Sequence, residues 1–177
     1  MKTENLELRQ ITENPMRKIK IEKIVLSCGA KSADLEKARK LLEFISGMKA
    51  QVITSRKRIP DFGVRPGLEV GTRVTLRGET ALQLLARLLA AINNNIAEES
   101  ISNNHFSFGI KEYIEIPGIE YKRDIGIRGL NVTVDFIRAG VRVKRRKIKR
   151  GKLPKRQHVS DNEIIKFMEE NFKTVFS

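Results

Sequence analysis

Thr72-Arg73-Val74-Thr75-Leu76-Arg77-Gly78, followed directly by Glu79-Thr80-Ala81-Leu82-Gln83-Leu84-Leu85-Ala86-Arg87-Leu88-Leu89-Ala90-Ala91-Ile92, is the stretch on which the fold turns. Thr72, Val74 and Leu76 alternate with Arg73, Thr75 and Arg77, a period of two that predicts a strand with one buried face and one cationic face. The cationic face is left free for phosphate. Beyond Gly78, Ala81, Leu82, Leu84, Leu85, Leu88, Leu89 and Ile92 make most of a helix surface apolar, which calls for deep packing on a sheet. Asn93-Asn94-Asn95 is expected to fray that helix.

Towards the N-terminus, Ile19 and Ile21, then Ile24 and Leu26, alternate on either side of a slip at Lys23, which predicts a strand with a bulge that ends at Gly29. Ser32 is placed to cap a helix in which Leu35, Ala38, Leu41, Leu42 and Ile45 recur at helical spacing, and Gly47 stands where a left-handed terminating residue is wanted. Gln51 to Thr54 is a short strand. In Arg56 to Gly67, two prolines and two glycines forbid regular structure and predict a long loop. Residues 1–13 read as a lead-in before Pro15, possessing no fixed place in the core, and 14–177 as a single domain.

Towards the C-terminus, Phe106, Phe108 and Ile110 alternate with Ser107 and Gly109, with Tyr113 to Ile116 as an extension of that strand before Pro117-Gly118 opens another loop. Val132, Val134 and Phe136 form a further strand. Ser160 with Glu163 three places on is a capping-box signature before Ile164, Ile165, Met168 and Phe172. Strands and helices do not alternate one for one, so the class is α+β: a mixed or antiparallel sheet with helices packed mainly on one face, carrying long basic loops.

The segment Arg142 to Arg156 holds ten cations and no acid. Without them the formal net charge of +14 would fall to +4, so the basicity is local. Charge this dense repels itself, and it stays extended or becomes ordered only against a polyanion with closely spaced phosphates. A solvated tail, a membrane-surface patch and a nuclear-localisation signal are competing readings. The first sits poorly with an internal position, and the second lacks an amphipathic or lipid anchor. Structured RNA or DNA is the favoured partner. Aromatic residues are only 6% and tryptophan is absent, so shape and phosphate contacts are expected to outweigh base stacking.

The same composition argues against chemistry. One cysteine, Cys28, excludes an internal disulfide framework and fits a packing role in a reducing compartment. His105 and His158 belong to no metal-ligand or nucleophile pattern, and no glycine run makes a phosphate loop, so neither a metal, a cofactor nor a catalytic residue is expected. The apolar run from Leu84 to Ile92 is broken by Arg87 and too short to span a bilayer, so a cytoplasmic protein is expected. Phe106-Ser107-Phe108 resembles the aromatic strand of an RNA-recognition fold but lacks its basic-glycine lead, and the phenylalanines are assigned to the core.

With Lys57, Phe62-Gly63-Val64-Arg65-Pro66-Gly67, Gly71 and Val74-Thr75-Leu76-Arg77-Gly78 in view, the chain resembles the fifth universal large-subunit ribosomal protein family, which binds 5S ribosomal RNA. The resemblance continues through Asn104-His105-Phe106-Ser107-Phe108-Gly109-Ile110, Glu112, Ile116-Pro117-Gly118-Ile119, Tyr121, Asp124, Ile127 and Gly129-Leu130. It covers Asn14 to about Phe172. Val143-Lys144-Arg145-Arg146-Lys147 and the capped last helix look like the archaeal and eukaryotic branch.

The resemblance implies a noncatalytic protein of the ribosomal central protuberance, joining 5S RNA to large-subunit RNA. It also implies contact with peptidyl-site tRNA and with a small-subunit protein across an intersubunit bridge. It places RNA contacts at Ser27, Met48 and Thr75 and the bridge at Lys122, Arg123, Asp124 and Arg128. Asn14 is read as a further RNA contact, and the weakly anchored loop with Arg56, Lys57, Arg58, Phe62 and Arg65 carries cations that suit a transient contact with tRNA. The family usually has asparagine in place of Ser27 and glutamine in place of Met48, and its Gly-x-Gly-Glu becomes Gly29-Ala30-Lys31-Ser32. Methionine lacks an amide's paired donor and acceptor, so affinity is expected to lean on Arg17, Lys18, Arg73, Arg77 and the ribbon cations Lys144, Arg145, Arg146, Lys147, Lys149 and Arg150. A nonribosomal RNA chaperone or regulator using the same surface is the alternative. The RNA species that co-purify in gentle salt separate the two.

Overall fold

The computed structural model describes residues 16–31 and 33–177. In chain order the elements are β1 (Lys20–Gly29), α1 (Ala33–Ser46), β2 (Gln51–Thr54), β3 (Glu69–Leu76), α2 (Glu79–Ala91), β4 (Asn95–Ile96), β5 (Ile101–Ser102), β6 (His105–Ile110), β7 (Leu130–Ile137), α3 (Arg142–Arg145), α4 (Asp161–Phe172) and β8 (Val175–Phe176). Six strands form one sheet in the order β2-β3-β1-β7-β6-β5. Every neighbouring pair in it is antiparallel, which narrows the expected mixed or antiparallel sheet to the second.

The alternation in sequence sorts the sheet into two unlike faces. Ile24, Leu26, Val74, Leu76, Phe106, Ile110, Val132, Val134 and Phe136 point into one core with Leu41 and Leu42 of α1, Leu85 and Leu88 of α2, and Ile164 and Met168 of α4. At about 25 cal/mol per Å² of apolar surface withdrawn from water, this shared core is the main term holding helices to sheet. Phe106 lies 5.8 Å from Phe136, which meets Phe167 edge-on at 5.7 Å, so the phenylalanines of β6 and β7 join α4 to the sheet. Among the described residues, α1, α2 and α4 all pack on this one face, and the other face carries no helix longer than the single turn α3.

Several local expectations hold. The slip in β1 is a register shift between Ile21 and Lys23. Gly47 ends α1 with φ +65. The capping box of α4 forms, with the Ser160 amide donating to the Glu163 carboxylate at 3.0 Å. The proposed cap Ser32 lies outside the described residues.

Others need correction. The α2 helix does not fray: Asn93 and Asn94 both adopt left-handed φ, and the Asn94 amide donates to the Leu89 carbonyl at 2.9 Å, closing the helix with a wound turn. That turn delivers β4 to a parallel pairing with β8. Leu82, assigned to the buried stripe, is 41% exposed at its edge. Tyr113–Glu115 is a 3-10 turn rather than an extension of β6. It leaves the sheet because the Tyr113 amide donates to the Arg128 carbonyl at 3.1 Å, and the Tyr113 ring is buried. The loop from Arg56 to Gly67 also contains regular structure: a 3-10 turn over Pro60–Phe62, with Ile59 and Val64 bridged antiparallel around it at 2.9 and 3.0 Å. Prolines and glycines there shape a tight hairpin, with Val64 buried beneath it.

Gly71 and Gly129 mark where strands crowd. A Cβ at Gly71 would lie 2.9 Å from the Cys28 carbonyl oxygen, and one at Gly129 would lie 2.7 Å from that of Lys111. Only glycine permits either approach.

Candidate nucleic-acid interface

The uncovered sheet face is built in rows by strand register. One row runs Gln51, Arg73, Ser27, Asn131 and Gly109, because Gln51 pairs with Arg73, Arg73 with Ser27, Ser27 with Asn131, and Asn131 with Gly109. The next runs Thr75, Val25, Thr133 and Ser107. Directly opposed side chains in an antiparallel sheet are close neighbours, so these rows present amide, hydroxyl and guanidinium groups side by side. Arg73 Nε donates to Gln51 Oε1 at 3.2 Å, which orients the guanidinium without neutralising it. Met48, 51% exposed, shares a shallow hollow with Lys49, Arg73 and Thr75. Ser27, Met48, Arg73 and Thr75 therefore come together on one surface, and exposed Arg77 follows directly after β3.

The basic ribbon is not extended. Arg142–Arg145 makes one helical turn, Lys149 is left-handed, and the Gly151 amide donates to the Val143 carbonyl at 3.1 Å. Arg145 pairs with Glu22 on the bulged part of β1. The hydrogen bond to that carboxylate, aided by its charge, holds the Arg145 guanidinium above its ordinary pKa. At the far end Gln157 Nε2 donates to the Ala139 carbonyl at 2.6 Å, and Arg138 joins the Arg156 carbonyl to the Glu163 carboxylate. Glu22 on β1 and two tied ends thus fold the segment into an arch without a polyanion. Lys144, Arg146, Lys147, Lys149 and Arg150 remain exposed along it.

Arg17 and Lys18 stand apart from the sheet rows. They line a cleft of about 910 Å³ beside α4, opposite Arg138, Arg156 and Lys166. Asn14 lies outside the described residues.

Arg56, Lys57, Arg58 and Arg65 are exposed on the hairpin loop, with Phe62 68% exposed at its tip. Lys31, unremarked in the sequence reading as an anchor, donates through Nζ to the Phe62 carbonyl and sits 6.0 Å from the Phe62 ring. Two of the four residues assigned to the bridge have internal duties. Arg128 pairs with Asp34 on α1, and the Lys122 ammonium lies 3.6 Å from the centre of the Phe44 ring. Arg123 and Asp124 are exposed. Cys28 is buried, its thiol 3.3 Å from the Gly129 carbonyl, and burial pushes that thiol up in pKa against the opposing charge of Arg128.

A one-sided α+β sheet whose bare face and adjoining arch carry clustered cations and polar side chains has the build of an RNA-binding protein. Its sequence matches the family described as ribosomal protein L5 over residues 14–65, and the companion description of that ribosomal family's C-terminus over 69–167. Among curated relatives, the large ribosomal subunit protein uL5 of Nanoarchaeum equitans is 42% identical, over 89% of this chain and 95% of the relative. That of Sulfurisphaera tokodaii is 40% identical over 91% and 93%, and that of Archaeoglobus fulgidus 36% over 96% of each. The chain belongs to the uL5 family of large-subunit ribosomal proteins. It is a structural, RNA-binding constituent of the ribosome in translation, not an enzyme. No helix among the described residues is long and apolar enough to cross a membrane.

Proposed function

We propose that the chain binds 5S ribosomal RNA through the uncovered sheet face and large-subunit RNA through the arch, within the central protuberance. The observation that carries this reading is the register that sets Ser27 beside Arg73, with Thr75 in the adjacent row and Met48 at the rim. Guanidinium and hydroxyl groups in fixed rows suit a phosphate backbone approaching along its length. With Met48 supplying no amide, Arg73 carries the principal charge-assisted contact there.

The hairpin loop with Arg56, Lys57, Arg58, Phe62 and Arg65 reaches towards peptidyl-site tRNA, and Arg123 and Asp124 face a small-subunit protein across the bridge. Their exposure, on loops anchored by Lys31 and by Tyr113, supports these assignments. The test is binding of 5S RNA by the full chain and by Arg73→Gln and Thr75→Val variants. Arg73→Gln should weaken binding about tenfold, the scale of one charge-assisted contact. Undiminished affinity in both variants would overturn the assignment of the sheet face.

A further inference from the structure

The arch does not lie flat. Between it and the uncovered sheet face is a cleft of about 550 Å³, whose walls include Lys23, His105 and Asp135 from the sheet and Lys144, Arg150 and His158 from the arch and its exit. We infer that this cleft receives a single unstacked nucleotide of the bound RNA, its phosphate on Lys144 and Arg150 and its base against Asp135 and the two imidazoles. The inference rests on the RNA-binding reading above and adds to it a site for one base.

Three observations carry it. The sheet wall is one register row: Lys23 pairs with Asp135 and Asp135 with His105, so ammonium, carboxylate and imidazole stand on adjacent strands. Lys23 Nζ lies 2.9 Å from Asp135 Oδ2, which leaves Asp135 Oδ1 as an acceptor. The Glu22–Arg145 pair, one residue from Lys23, fixes the arch over that row.

The chemistry of the lining decides between a phosphate groove and a nucleotide site. A groove for backbone phosphate alone gains nothing from a carboxylate, which repels it. A base, in contrast, presents amino and imino donors that a carboxylate accepts, and a π-face that imidazole can stack on. His158 is already oriented. The Val159 amide donates to Asn104 Oδ1 at 2.8 Å, so it is Asn104 Nδ2 that meets His158 Nδ1, at 2.7 Å. An Nδ1 that accepts leaves the proton of the neutral ring on Nε2, a donor for a base or ribose oxygen. The volume lies within the range of small-molecule sites.

The chain has two histidines, which makes their ring signals a direct readout. The full chain, labelled with ¹⁵N-histidine, is titrated with two RNA hairpins that share one stem, only one of which has a single bulged nucleotide. The bulged hairpin should bind about tenfold tighter, the scale of one base stacked on a protein ring, and should shift both imidazoles. His105→Ala should abolish that difference. In a second arm, nucleoside 5′-monophosphates should shift the same signals where inorganic phosphate does not. Equal affinities with unshifted imidazoles, or equal shifts from phosphate alone, would overturn the nucleotide site while leaving RNA binding intact. Failure to bind either hairpin would overturn the RNA-binding reading with it.

Discussion

Asn104 and Val159 hold each other twice: the Asn104 amide donates to the Val159 carbonyl at 3.2 Å, and the Val159 amide donates to Asn104 Oδ1 at 2.8 Å. This pair of hydrogen bonds fastens the exit of the arch to the turn between β5 and β6. Asn104 also has φ +70, where asparagine is better tolerated than other residues with a Cβ. Asn104→Gly should cost roughly 1–3 kcal/mol, since the buried Val159 amide loses its partner. Asn104→Ala should cost about 1 kcal/mol more, from left-handed strain. Denaturant titrations check both, and equal losses would show that the backbone conformation contributes nothing.

Neutralising the arch should flatten the salt dependence of RNA binding without unfolding the domain. For ~6 phosphate contacts the slope of log affinity against log salt is about −4 to −5. Replacing Lys144, Arg145, Arg146 and Lys147 together by serine should reduce its magnitude by about 2 to 3, because Arg145 is already engaged by Glu22. An unchanged slope would remove the arch from the RNA interface.

Lys31 is expected to govern the hairpin loop. It reaches the Phe62 carbonyl from the segment between β1 and α1, so Lys31→Ser should speed trypsin cleavage after Lys57 and Arg58 several-fold in the free protein. In large subunits, tRNA bound at the peptidyl site should protect those bonds beyond the protection in vacant subunits. Equal protection in the two would count against the tRNA assignment.

Glu163 gives the C-terminal helix a pH-dependent anchor. Burial opposes its ionisation, but hydrogen bonds from the Ser160 amide and hydroxyl and the charge and hydrogen bond of Arg138 together outweigh it and hold the carboxyl below its ordinary range. Its stabilisation is therefore complete above the unfolded-chain value of about 4.3 and is lost as pH falls through the lower folded value. Glu163→Gln should cost roughly 1 kcal/mol or less at pH 7, because the carboxylate is 41% exposed and solvent-screened. The difference from the parent should vanish in strongly acidic solution. A gap that widens there would reverse the sign.

Thr72 is fully buried on the core face of β3, and its hydroxyl has no hydrogen-bond partner among the described residues. Thr72→Val retains the branched shape and removes the stranded hydroxyl, so it should raise stability by about 1 kcal/mol and the thermal midpoint by at least about 2 °C. A fall in calorimetric midpoint would mean that the hydroxyl is satisfied.

What could be read in advance followed the range of the physical signal. Alternation from Thr72 to Arg77, the slip at Lys23 and the Ser160–Glu163 box each depend on residues a few places apart, and each appears where expected. Contacts that no local pattern encodes were missed. Arg145 meets Glu22 from 123 residues away, and Lys31 meets Phe62 across 31. The first turned an extended ribbon into an arch, and the second pinned a loop known from its sequence only by its prolines and glycines. The row from Lys23 through Asp135 to His105 was likewise invisible until strand order set β7 between β1 and β6. Arg128 and Lys122 were read as loop residues, but their partners Asp34 and Phe44 lie on a helix far upstream.

The position of β1 beside β7 also has a consequence for the nascent chain. During synthesis β1 can pair with β3 early, but its other edge has no partner until β7 has left the exit tunnel. Cys28 and Gly129, which meet at that seam, are 101 residues apart. At elongation rates of about 5–20 residues per second, that edge of β1 stays unpaired for roughly 5–20 s. Lys20, Lys23 and the bulge beside them lie on that bare edge, where charge and irregularity discourage pairing with a neighbouring chain before the proper strand arrives.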